Sequence, residues 1–493
     1  LAGWHEFCSD RRDEKSHAAA LMPALTATER DPKLRLLLPL IVATGFFLEQ
    51  LDSTIITTAI PDMARALNET PLRLNLALTS YIVTLAVFIP ISGWIADRFG
   101  ARRTFALAVG VFTLGSMTCG MSQSFAMLVA SRVLQGLGGA MMNPVGRLIL
   151  FRSFPRSDFI TAMTYVSIPS VLGPVIGPLA GGLITTYGSW RWIFYVNIPF
   201  GLLGILMTLR FVEDTHEAKP RRFDVPGFAI CGIGMALLEI GIETLGRPVL
   251  PAIDVIGLFA AAGALLLLYI SYARRHENAV LDLSLLRVRT FRVGLFAGGL
   301  CRMGMAGVPF LLPLMLQVAF GYSPIQSGAT TFVSSLGTIV IRPITAGLLR
   351  YLGFDRLLVG NAVIAAVVTA AFALLTPLTA HVPMLLLIVM FGIVRNTQFS
   401  SIQTLTFADI PPASLSRATS FGGVMQQLSM GFGVSVSAAV LGLIAGDGAT
   451  LTVRDFHLVF LVLAALPLIA LPGLMVLRPQ DGALVSKHTR RLA

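Results

Sequence analysis

Residues 36–60 read LLLPLIVATGFFLEQLDSTIITTAI, an apolar run interrupted by two carboxylates, Glu49 and Asp52. At 1.5 Å per residue such a helix is about 37 Å long, enough to cross a hydrocarbon core of ~30 Å. The stretch therefore reads as a membrane span. A charge inside a bilayer is costly, so an acid retained there is a functional candidate by default. Glu49 and Asp52 stand three residues apart and share one helix face. They fall roughly 20–24 Å along the span, near the membrane midplane. Two close carboxylates in a poorly polarisable cavity cannot both ionise cheaply, which makes the pair a candidate proton carrier. Gln50, Ser53, Thr54, Thr57 and Thr58 extend the polar lining.

The rest of the chain agrees with a membrane reading. It has 493 residues, 55% hydrophobic and only 13% charged, with a mean hydropathy of +0.77. Fourteen runs of about 20 apolar residues can be counted: 36–60, 75–96, 103–121, 126–150, 160–185, 191–211, 226–246, 251–272, 291–318, 325–349, 356–377, 383–407, 418–445 and 456–476. A twelve-span alternative would discard 226–246 and 251–272, yet each is long enough to cross. Placing both termini in the cytosol puts 24 of the 37 Lys and Arg in cytosolic segments and five in external loops. That is the positive-inside bias, and it accounts for the net charge of +11 without a nucleic-acid partner. The four cysteines have no metal or disulfide spacing and read as small apolar fillers. Residues 1–35 are expected to be a cytosolic leader. Residues 1–21 lack the apolar core of a signal peptide and are expected to be disordered or upstream sequence.

Two loops suggest an internal repeat. GWIADRFGARRTF (93–105) follows the second span, and AGLLRYLGFDRLL (346–358) follows the tenth. The repeat divides the chain into a six-helix half (36–211), a linker with two inserted helices (212–290), a second six-helix half (291–476) and a cytosolic tail (477–493). Similar tight turns could equally arise without a repeat. Parallel repeats flanking a central site are a transporter signature.

Five blocks then carry a resemblance: LDSTIITTAIP (51–61), GWIADRFGARR (93–103), RVLQGLGGA (132–140), GPVIGPLAGG (173–182) and SWRWIFYVNIP (189–199). In this order they resemble the fourteen-span drug:proton antiporter branch of the major facilitator superfamily, the EmrB/QacA type. The resemblance implies an all-α polytopic major facilitator fold of two six-helix halves plus two inserted central helices. It also implies a gating loop over Gly93, Asp97, Arg98, Gly100, Arg102 and Arg103. Gly93 and Gly100 are read as allowing close approach and a sharp reversal. Asp97 is read as a helix cap or as the partner of Arg147 or Arg152; a plain polar turn is the alternative. Gly173, Pro174, Gly177, Pro178 and Gly181 match the family's antiporter motif. Small residues every four positions also serve ordinary close packing.

Further ionisable groups fall inside spans: Arg132 with the nearby Gln135, Arg147, Glu239, Arg302, Arg342 and Arg395. Asp52 matches the family motif and is the leading coupling residue, with Glu49 tuning it. Arg302 and Arg132 are both candidate ion-pair partners, either permanent or released by protonation. Arg302 and Arg395 are expected to face the cavity; its acids allow a cationic substrate, and the two arginines would also suit anions. Glu239 either lines a pocket or bonds a neighbouring helix. All seven histidines fall in loops or tails, so a proton carrier should be a carboxylate.

No Walker-type phosphate loop supports ATP drive, and no zinc pair or hydrolase elbow supports an intramembrane enzyme. The expectation is a proton-driven exporter of small amphipathic molecules in a bacterial inner membrane, without a cofactor. Its partners would be substrate, protons and lipid, with a periplasmic adaptor left open. The alternatives are a proton-coupled importer, a facilitator, or a sensor that does not transport.

Overall fold

The computed structural model describes residues 34–154, 159–214, 223–245, 251–276, 279–411, 414–446 and 451–483. The expected leader over 1–21 and the end of the expected tail lie outside them. Every long element is helical: α1 Leu34–Ala66, α2 Pro71–Phe99, α3 Ala101–Gly120, α4 Phe125–Ser153, α5 Phe159–Tyr187, α6 Trp192–Phe211, α7 Val225–Thr244, α8 Ala252–Ala273, α9 Arg289–Ala319, α10 Pro324–Ala371, α11 His381–Ala408, α12 Leu415–Ala445 and α13 Val453–Leu474. Among the described residues, eleven of these helices are long and apolar enough to cross a bilayer.

Local chemistry sets the ends. Thr70, Ser124 and Asp224 each accept a backbone N–H at a helix start, and Pro71 supplies a preset φ in the first turn of α2. Ser323 and Gln326 form a reciprocal capping box on α10. Gly100 turns the chain between α2 and α3 at φ 91°, and Gly353 breaks α10 at φ 76°. Both angles are in the region that favours glycine. As one straight rod, the 48 residues of α10 would run about 72 Å, so Gly353 separates two helices of bilayer length.

Helices α1–α6 pack round a core that includes Val42, Leu85, Phe105, Phe112 and Val145. Helices α9, α10, α11 and α13 enclose another, with Val293, Phe354, Leu358, Ile402 and Leu405. The α7–α8 hairpin packs against α2 and α12 through Ala86, Met235, Tyr269, Val424 and Leu428. The outer side of α8 is bare, with Ile253, Ile256 and Leu267 exposed. Apolar exposure of that kind suits lipid.

One face of the bundle carries the α1–α2, α5–α6 and α9–α10 connections and is termed distal here. The proximal face carries the Gly100 and Gly353 turns. Helices α1 and α5 meet α9 and α10 at the distal face. The Ile325 amide donates to Thr186 Oγ1 at 3.0 Å, and Gln317 Nε2 donates to the Thr58 carbonyl at 3.0 Å. Gly182 and Gly328 bring the α5 and α10 backbones together, since a Cβ on Gly182 would lie 2.6 Å from the Pro324 carbonyl. Deeper in, Ser335 Oγ donates to the Pro174 carbonyl at 3.2 Å. The same face of α10, continued to Arg342 and Ala346, is exposed. The contacts recorded between α5 and α10 are thus distal, and beyond them α10 is exposed.

Candidate functional site

The polar centre lies among α1, α2, α3, α4 and α6. Asp52 Oδ2 is 2.5 Å from Arg132 Nη1, and Gln135 Nε2 donates to Asp52 Oδ1 at 2.8 Å. Arg132 Nη1 also donates to Gln135 Oε1 at 2.6 Å, closing a three-membered ring of contacts. The remaining faces of Arg132 are held by the Ala77 carbonyl, 2.9 Å from Nε, and by the Tyr81 ring, 4.2 Å from the guanidinium carbon. Asn197 Nδ2 reaches Asp52 Oδ1 at 3.3 Å and Ser116 Oγ at 2.9 Å. Asp52, Arg132, Gln135 and Asn197 are wholly buried. They form a sealed knot inside the first six helices rather than the wall of an open cavity. A buried pair survives only when its remaining hydrogen-bonding positions are matched, and here most are. Arg132 Nη2 and Asn197 Oδ1 have no partner among the described residues.

Glu49 lies on the same face of α1, one turn toward the proximal side. Asn143 Nδ2 donates to its Oε2 at 2.5 Å. Arg147, one turn further along α4, is exposed and makes no ion pair among the described residues. The face shared by Glu49 and Asp52 is therefore the one that looks at α4. The two acids take separate partners at different heights. Of the two candidate partners for Asp52, the structure brings in Arg132 and leaves Arg302 with α11.

The glycines of α5 lie against α1 beside this knot. A Cβ on Gly173 would meet the Leu51 amide at 2.8 Å, and Cβ atoms on Gly177 and Gly181 would collide with the hydroxyls of Thr54 and Thr58. The adjoining face of α5, one residue on at Pro174, Pro178 and Gly182, touches α10. Pro178 has no N–H to donate to the Pro174 carbonyl, and Ser335 takes that acceptor instead.

Arg152 Nη2, in the last turn of α4, donates at 2.8 Å to Oδ1 of Asp97, in the last turn of α2, so of the two expected partners Arg152 is the one in contact. Arg103 pairs with Asp214 at 3.1 Å, and Arg98 lies over Trp94 and Phe99. Arg102 is half-buried in the first turn of α3. The reading of Gly93 needs correction. A Cβ there would meet nothing within 4 Å, so only Gly100 makes the reversal.

Glu239 on α7 is buried and accepts from Ser435 on α12, which is a bond to a neighbouring helix. Arg302 is buried on α9, and Arg395 is half-buried on α11. Arg342 is exposed on α10. Asn197, Asn143, Tyr81 and Gln398 are not singled out by the sequence. Each is a polar or amphipathic side chain within an apolar run, and that is the only signal available for them.

A profile described as Major Facilitator Superfamily matches residues 42–434. The "Putative multidrug resistance protein MdtD" of Pectobacterium carotovorum subsp. carotovorum (strain PC1) is 39% identical over 445 residues, covering 90% of this chain and 95% of its own. Its namesake from Salmonella heidelberg (strain SL476) is 36% identical over 458 residues, covering 92% and 97%. Among solved structures, a peptide transporter POT in complex with sulfate superposes with a TM-score of 0.66 at 16% identity, covering 91% of this chain and 95% of its own. A D-xylose–proton symporter gives 0.65 at 13% identity, covering 90% and 98%. At such identities these structures share the fold alone.

Proposed function

The chain belongs to the Major Facilitator Superfamily, a family of membrane transporters rather than enzymes, and on that premise we propose that it exports small amphipathic molecules in exchange for protons. The relatives named for multidrug resistance support the export direction. The observation that carries proton coupling is the Asp52–Arg132–Gln135 knot, a buried carboxylate whose charge is matched by one guanidinium. Protonating Asp52 removes half of that match. Arg132 then loses its counter-charge, and one of the side-chain contacts between α1 and α4 is weakened.

The proposed topology has fourteen crossings, with α10 crossing twice about Gly353. Residues 36–211 and 291–476 form two six-helix halves, and 212–290 inserts α7 and α8 between them. The lysine and arginine bias assigns the proximal face and both termini to the cytosol of a bacterial inner membrane. The structure is then inward-open. Glu49 and exposed Arg147 lie between the cytosolic opening and Asp52, which gives a proton released from Asp52 a polar route inward. The α5 glycine face keeps α1 tightly covered during that exchange.

The test is proton flux in proteoliposomes under an imposed pH gradient, with cationic, neutral and anionic amphiphiles added to wild type and Asp52→Asn. Substrate-dependent proton movement in wild type that vanishes in the variant is expected. Downhill solute movement without protons would replace exchange with facilitated transport. Proton and solute moving in the same direction would make the protein an importer.

A further inference from the structure

The arginine–glutamine pair of α4 recurs on α11. Arg395-Asn-Thr-Gln398 repeats the spacing of Arg132-Val-Leu-Gln135. On α4, Asp52 completes the pair by taking both the guanidinium and the glutamine amide. Among the described residues no acid does so on α11. Arg395 lies over the Phe399 ring at 5.4 Å and makes no hydrogen bond or ion pair among the described residues. Gln398 is wholly buried and its Oε1 accepts from Asn361 at 2.8 Å, but its Nε2 has no hydrogen-bond partner among the described residues. Asn396 Nδ2 and the buried Ser401 hydroxyl are likewise unpartnered.

A second guanidinium stands at the same level. Gly294 of α9 packs on Thr406 of α11 and Gly298 packs on Ile402. That antiparallel register brings Arg302 to the height of Gln398, and Cys301 lies beside Gln398. Arg302 is only 3% exposed, with no hydrogen bond or ion pair among the described residues.

Every group in this set can donate a hydrogen bond, and two carry positive charge. From Leu283 to the end of the chain the acids are Asp355, Asp409, Asp447, Asp455 and Asp481. The four that are described sit in connections or terminal turns. Burying a guanidinium without a counter-charge is strongly unfavourable, so the cluster lacks an anion with acceptor oxygens. Arg395 is half-open, and a cation halfway along a helix faces a wet interior rather than lipid.

We propose that Arg395, Gln398 and Arg302 bind the carboxylate of the transported substrate, which takes the part that the Asp52 side chain plays on α4. The planar fork of Arg395 and the Gln398 amide would hold its two oxygens. This inference rests on the transport reading and narrows the substrate class to carboxylate-bearing amphiphiles.

The test compares two probes of one shape, 2-naphthoate and 2-naphthamide, by titration calorimetry on the purified full chain in detergent. Naphthoate should bind at least tenfold more tightly. Arg395→Gln should reduce naphthoate binding to the naphthamide level, and a melting temperature within a few degrees of wild type shows that the variant is folded. Arg395→Lys should keep part of the preference, because it retains the charge but loses the fork. Equal binding of both probes to wild type, or a preference that survives both Arg395→Gln and Arg302→Gln, overturns the assignment. Proton flux in proteoliposomes separates the two claims. Flux driven by other amphiphiles, with no naphthoate preference, sinks the site and leaves export standing. A naphthoate preference lost in Arg395→Gln, with no compound moving protons, sinks export and leaves the site standing.

Discussion

Ser335 Oγ donates to the Pro174 carbonyl at 3.2 Å, joining α10 to α5 across the line where α1 and α5 meet α9 and α10. Within an α-helix that carbonyl would accept from the residue four positions on, and that residue is Pro178. A proline of the glycine-rich motif thus creates an acceptor that a serine on the other side of the molecule uses. The contact lies just above the point where α10 leaves α5 and its face becomes exposed, so it belongs to the closed distal side.

Ser335→Ala should weaken that closure. A neutral hydrogen bond contributes about 0.5–1.5 kcal/mol. The equilibrium between distal-closed and distal-open forms should therefore shift by roughly two- to tenfold toward the open form. Labelling rates of a cysteine placed at Pro324 would report it. Unchanged rates would show that the glycine contacts alone hold the seal.

The Asp52–Arg132 pair predicts an asymmetry between single and double substitutions. Arg132→Gln leaves Asp52 buried without its counter-charge and should cost about 3–5 kcal/mol. Adding Asp52→Asn should recover most of that loss, because no net charge is then buried. Thermal unfolding in detergent would show the recovery. Additive losses in the double variant would mean that the two side chains act independently.

The Asp97–Arg152 pair is partly exposed, so its contribution to stability should be under about 1 kcal/mol. Asp97→Asn should unfold within a few degrees of wild type, yet it should shift access at the proximal opening if the loop is a gate. Cysteine labelling at Ala346, measured beside the melting temperature, separates the two effects. A wild-type labelling rate would reduce Asp97 to a plain polar turn residue.

Glycines in the two motifs should respond differently. Gly93→Ala enters open space and should change stability by no more than about 0.5 kcal/mol. Gly177→Ala drives a methyl into Thr54 and should cost about 1–3 kcal/mol. Gly100→Ala is strained for a second reason, its φ of 91°, and should cost about 1–2 kcal/mol. Equal losses at Gly93 and Gly177 would contradict the packing described here.

Sequence alone determined that this chain is a bundle of apolar helices, that Glu49 and Asp52 share a face, and that Gly100 makes a reversal. Each follows from local physics: span length against bilayer thickness, helical period, and the φ that only glycine adopts easily. The family blocks added the transporter fold. Tertiary structure alone decided which arginine meets which acid. Arg132 and Asp52 are 80 positions apart, and their contact depends on the relative heights of α1 and α4. The same holds for Arg302, which the sequence offered as a partner for Asp52 and which the packing of α9 on α11 sets at the level of Gln398 instead. It holds also for Gly93, where only the neighbouring helices could show that no close approach occurs. Helical period fixes direction within one helix. The depth and neighbours of a buried charge are set by how separate helices slide against one another, and no stretch of sequence carries that information by itself.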